Sequence, residues 1–95
     1  MDFAHYARLV DGLYSTLLES GGQDAVALTE GIEAAYQAME HLPPALAAKL
    51  TPSQEREWSN LGHIYHNLAQ NPGWQPEDQR GWLEDARALL LAVQR

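Results

Sequence analysis

Cysteine is absent from this chain of 95 residues. That excludes a disulfide framework, thiolate metal sites and cysteine nucleophiles. Basic side chains are scarce: six Lys and Arg stand against 13 Asp and Glu, for a formal net charge of -7 and a pI near 4.8. Binding a nucleic acid needs a basic footprint, and an anionic membrane surface also attracts basic segments. Neither is expected as a direct partner. No apolar run approaches the length of a bilayer-spanning helix. The opening residues, Met1-Asp2-Phe3-Ala4-His5-Tyr6, lack a basic stretch ahead of a small-residue cleavage site, so no signal peptide is expected and the cytoplasm is the expected compartment. Sustained alternation of apolar and polar residues is also missing, which argues against strands.

What the chain does have is helical periodicity. With 45% hydrophobic and 20% charged residues it has an ordinary globular balance, enough for one core and one domain over residues 1–95. In the first segment Phe3, Tyr6, Ala7, Val10, Leu13, Tyr14, Leu17 and Leu18 form one stripe, and Gly21-Gly22 ends it. A second helix starts at Asp24, an N-cap residue, with Ala25, Leu28, Ile32, Ala35, Tyr36 and Met39 inward. Gly31 lies within it, either permitting close helix approach or merely tolerated. Pro43-Pro44 stops this helix. Residues 44–50 have room for two short turns. Thr51-Pro52-Ser53-Gln54 is the sharpest start signal: Thr51 as N-cap, Pro52 at the first helical position, Gln54 closing a capping box. The third long helix presents Trp58, Leu61, Ile64, Tyr65, Leu68 and Ala69 inward and ends at Asn71-Pro72-Gly73. The fourth starts at Pro76 with Glu77 and Asp78 in its first turn. It buries Trp82, Leu83, Ala86, Leu89, Leu90 and Val93, and Arg95 suits its negative dipole end. Four amphipathic helices with short connections make an all-α, up-down-up-down four-helix bundle the expected architecture, with a short extra helix at 44–50.

Trp58-x-x-Leu61-Gly62-x-x-Tyr65 resembles the first-helix signature of a tetratricopeptide repeat. That family's 34-residue period leaves helices of about a dozen residues. The third helix here is longer, and no second copy of the motif occurs in residues 1–50. The likeness covers one motif and about a third of the chain, and the family is not assigned.

Residues with chemistry are few. His63 and His66 stand three apart, a usable metal-ligand spacing. His63 falls almost opposite the apolar stripe and His66 at its boundary, and no inward carboxylate completes a site. The four histidines, His5 and His41 included, therefore read as solvent-facing, and no metal or other cofactor is expected. All four tyrosines, Tyr6, Tyr14, Tyr36 and Tyr65, fall on inner faces, where each hydroxyl needs a partner or water. They line either a ligand-holding interior or an ordinary core. No nucleophile elbow, phosphate-binding glycine loop or zinc-helix pattern occurs, so an enzyme is not expected.

The surface is more informative. No basic residue occurs between Arg8 and Lys49. Residues 1–48 hold seven acids and one base, whereas residues 49–95 hold six acids and five bases, so the net charge lies in the first helical hairpin. On the second helix Glu30, Glu33, Gln37 and Glu40 follow steps of 3, 4 and 3, one unrelieved stripe. It is either a solvated face or a docking face for a basic partner. Three apolar residues stand out beside it. Trp74 lies in a loop, as a lid or as an exposed anchor. Trp82 is near the edge of the fourth helix's stripe, and Leu91 lies far outside that stripe. The expected function is a non-enzymatic protein-binding module, such as an adaptor, accessory subunit, chaperone-like factor or regulator, with a homodimer through the fourth helix as one form. Two alternatives stand beside it. One is an inhibitor or immunity-type protein whose acidic hairpin occupies a basic or nucleic-acid-binding site on its target. The other is a ligand- or metal-binding bundle.

Overall fold

In a computed structural model of the chain, residues 2–70 and 74–94 are described, the side chains of Leu68 and Ala69 excepted. The expected stop at Asn71-Pro72-Gly73, the inward side chains of Leu68 and Ala69 and the role of Arg95 lie outside that description. The fold is all-α, with the helices α1 (Phe3–Glu19), α2 (Ala25–Glu40), α3 (Pro44–Ala47), α4 (Pro52–Ala69) and α5 (Pro76–Gln94).

Local chemistry sets the boundaries. The Asp2 carboxylate accepts the His5 backbone N–H at 3.0 Å, and that bond is the main reason its carboxyl is held below the usual value. Gly21 and Gly22 end α1 with φ of 69° and 81°, a left-handed conformation that glycine adopts without strain. The Gly22 N–H reaches back to the Leu17 carbonyl at 2.8 Å. Asp24 caps α2 through the Ala27 N–H at 3.0 Å. The single turn of α3 fills the start of residues 44–50. At the head of α4 the capping box is reciprocal: Gln54 N–H donates to Thr51 Oγ1 at 3.1 Å, and Thr51 N–H to Gln54 Oε1 at 2.9 Å.

All six residues expected inside on the last helix, α5, are buried. Two expectations fail on the first hairpin. Leu18 is 61% exposed, because it stands one residue beyond buried Leu17 and one residue turns the side chain about 100° around the helix. Ala25 is exposed because the buried face of α2 starts only at Ala27. That face is wider and smaller than the expected stripe: Ala27, Gly31, Ala34 and Ala38 are buried along with Leu28, Ile32, Ala35 and Met39.

Small residues decide the packing. α2 lies against α1 most extensively, then against α5, and only lightly against α4, the next long helix in the chain. A square bundle would pair α2 with α4 instead. The reason is at Gly31: a Cβ there would stand 3.0 Å from Leu83 Cδ2 of α5. Gly31 thus permits the close approach that brings α2 and α5 together at the centre, with Leu83, Ala35 and Ala38 fully shut from solvent. At the edge of the α1–α5 contact, Arg87 donates two hydrogen bonds to Asp11 Oδ1 at 2.9 and 3.1 Å and lies 4.7 Å from the centre of the Tyr14 ring. The Cα radius of gyration, 12.8 Å, is that of a compact chain of this length.

Candidate functional site

The acidic stripe lies on the outer side of α2, between its contacts with α1 and with α4. Glu30, Glu33 and Glu40 are exposed and Gln37 is half-buried. Val26, four residues before Glu30, continues the same line and is 66% exposed. Among the described residues the ion pair is Arg87–Asp11, so no basic side chain neutralises this row.

On its α1 side the stripe borders an open groove of about 320 Å³. Tyr6, Leu9 and Leu13 of α1 and Ala34 of α2 supply an almost wholly apolar lining, while Glu30, Glu33 and Gln37 stand along the α2 rim. Leu9 is 43% exposed. The groove exists because Ala34 is small: a larger residue opposite Leu9 and Leu13 would fill it.

On its α4 side the stripe meets an aromatic cluster. The Tyr36 and Tyr65 rings stack with centroids 4.0 Å apart and planes 9° from parallel. The Tyr65 hydroxyl donates to Glu33 Oε1 at 2.7 Å. Desolvation first, then this bond and the charge of Glu33, push the Tyr65 hydroxyl up to about 12. The Tyr36 hydroxyl and His66 Nε2 lie 2.8 Å apart and share a hydrogen bond. The Glu40 carboxylate, then partial burial and the charge of Glu33, raise the Tyr36 hydroxyl above its ordinary value. Glu33 and Glu40 therefore do double duty: both face solvent, and both influence a tyrosine on the bundle's flank. The four tyrosines are half-buried and packed against the core, and the hydroxyls of Tyr36 and Tyr65 turn to polar partners on the bundle's flank. His5 is half-buried, and His41, His63 and His66 are exposed. Among the described residues no group of three or more His, Asp or Glu side chains is placed to hold a metal ion.

The apolar candidates are less accessible than expected. Trp82 is 4% exposed, and its Nε1–H donates to the Leu61 carbonyl of α4 at 2.9 Å. It is a core residue pinning α5 to α4, so its ring offers no surface to a partner. Trp74 packs half-buried against the core, as a lid does, while Gln79 Nε2 donates to its carbonyl at 3.1 Å. Its Nε1 is buried and finds no acceptor among the described residues. Leu91 is half-buried. Among the described residues, the large apolar side chains that do face solvent are Leu9, Leu18 and Val26, all on the α1–α2 hairpin. The available signal was their position off the core: Leu9 and Val26 fit neither buried stripe. The four-residue motif that resembles a tetratricopeptide repeat lies in a helix of 18 residues, longer than that family's helices. No helix among the described residues is long and apolar enough to cross a membrane. Compared with known proteins, the chain matches no family model, no curated protein and no solved structure at a significant level.

Proposed function

We propose that this protein is a non-enzymatic binding module whose α1–α2 hairpin docks on a basic surface of another protein. The observation that carries this reading is the row Glu30, Glu33 and Glu40, which no basic side chain among the described residues neutralises. Like charges one turn apart repel by a few tenths of a kcal/mol, so the row costs folding stability. A basic partner would relieve that repulsion, and charge concentrated on one face accelerates encounter. A narrower form is an inhibitor. Its support is the geometry of the row: Glu30 to Glu40 spans about 15 Å of helix, a line of regularly spaced negative charges suited to a groove that otherwise holds nucleic-acid phosphates.

The test is affinity capture from the native cell extract, followed by direct titration of the recovered partner. Glu30→Lys with Gln37→Lys takes the row's net charge from three negative to none and leaves Glu33 and Glu40, the carboxylates beside Tyr65 and Tyr36, in place. Capture should fail with that variant and weaken steeply as salt is raised. Retention of the same partner at high salt by the doubly substituted protein would sink the proposal. For the inhibitor form, the partner's nucleic-acid binding should be lost in proportion to added protein.

A further inference from the structure

The groove between α1 and α2 makes the docking face more selective than its charge alone. Its floor is apolar, with Leu9, Leu13 and Ala34 contributing, and its carboxylates, Glu30 and Glu33, stand on the α2 rim only. A flat basic surface would satisfy the rim and leave the floor wet. Resting on the docking role proposed above, we infer that the partner enters this groove as an amphipathic helix, with apolar anchors toward Leu9 and Leu13 and Lys or Arg along one flank.

Dimensions and charge select this occupant. From Tyr6 to Leu13 the groove wall is seven residue steps, about 10 Å of helix axis. That length takes anchors at i, i+3 or i+4, and i+7, the pattern by which helices seat in apolar grooves. A basic flank fits the α2 rim, and no acid of α1 lines the other wall. One charged wall and one apolar wall also orient the guest: reversing the helix would turn its basic flank toward Leu9 and Tyr6. A second copy of this chain is a poor guest, because its own hairpin carries the same acid excess. The exposure of Leu9 matches this role, since a leucine at 43% exposure contributes little to the core.

The probe is a fluorescently labelled, terminally blocked 18-residue helical peptide. It carries leucines at i, i+4 and i+7 and lysines on one flank, and its control has the same composition scrambled to destroy the apolar stripe. Anisotropy titration should show the patterned peptide binding at least tenfold more tightly than the scrambled one. Amide shifts in a 15N spectrum should centre on Leu9, Leu13 and Ala34. The decisive variant is Leu9→Asp, which adds negative charge at an exposed position. Attraction by charge alone requires it to bind the peptide as tightly or more tightly, whereas seating in the groove requires a loss of about tenfold. Equal binding of both peptides, or undiminished binding by Leu9→Asp, overturns the groove and leaves the acidic docking face standing. Binding of either peptide that ignores Glu30→Lys with Gln37→Lys at low salt overturns the docking face itself.

Discussion

Tyr65 shows how one side chain joins the acidic row to the rest of the bundle. Its ring stacks on Tyr36, its centre lies 5.8 Å from that of the tilted Trp82 ring, and its hydroxyl donates to Glu33. Its ionisation is pushed up to about 12, from an ordinary value near 10, because burial and the Glu33 carboxylate both disfavour phenolate. The folded state therefore holds this proton more tightly than the unfolded chain does. The resulting stabilisation is complete below about pH 10 and is lost as the pH rises toward about 12. Ultraviolet titration of the phenolates should find Tyr65 ionising last in the native protein, after Tyr14 and Tyr36, which are also raised, and normally in denaturant, and Tyr65→Phe should remove that last step. A native titration in which all four tyrosines ionise together near pH 10 would contradict the contact. Trp82 makes a second prediction at this scale. Its burial and its bond to the Leu61 carbonyl mean that Trp82→Ala lowers stability by about 3–5 kcal/mol, measured by denaturant unfolding. Any loss of partner binding in that variant then follows the unfolded fraction and not a lost contact.

Among the elements, glycine separates positions by what stands opposite them. Gly31→Ala places its new methyl 3.0 Å from Leu83, which is wholly buried and would have to shift within a packed core. Alanine gains about 1 kcal/mol in helix propensity, while overpacking costs about 1–3 kcal/mol, so the net change should be destabilising by about 1 kcal/mol. Gly12, Gly62 and Gly81 also sit in helices but face open space. Alanine at each should raise stability, by up to about 1 kcal/mol. Chemical denaturation of the four variants tests the contrast, and stabilisation by Gly31→Ala would remove the reason given for the α2–α5 approach. The difference between Gly31 and Gly12 also marks what sequence can and cannot disclose. Helix limits depend on neighbours in the chain, so Asp24, Thr51, Gln54 and Gly21-Gly22 announced them. The burial of α5 was legible because its stripe is bulky and regular. The α2–α5 contact was not, because glycine opposite leucine leaves no periodic mark. For the same reason the acidic row could be read from steps of 3 and 4, whereas the groove beside it required knowing that Leu9 and Leu13 stand across from Ala34. Trp82 was legible as an inward residue, but its place at the edge of the stripe left its outer side open to a partner until α4 closed over it.

For the whole molecule the placement of charge sets stability against binding. Arg87 and Asp11 form an exposed pair, worth well under 1 kcal/mol, so ion pairing compensates little of the excess acid. The fold rests instead on its buried apolar residues and tolerates the row on α2 as a modest cost. Removing that cost ought to be easy, and Gln37→Lys is the substitution that does so. A lysine there stands four residues after Glu33, the favoured order for a helical ion pair, and three before Glu40. It also interrupts the row at its centre without touching the bonds of Tyr36 or Tyr65. Stability should rise by about half a kcal/mol, which for a domain of this size is roughly 2–4 °C in Tm. The gain should shrink in high salt, where the exposed charges are screened. Affinity for the patterned basic peptide should fall in the same variant, because the new ammonium lies on the rim that the peptide's lysines approach. Thermal unfolding and peptide titration on one preparation measure both effects. Their opposite signs are the mark of a face kept for a partner at some expense to the fold. A variant that is more stable and binds the peptide unchanged would reduce the row to a solvated surface.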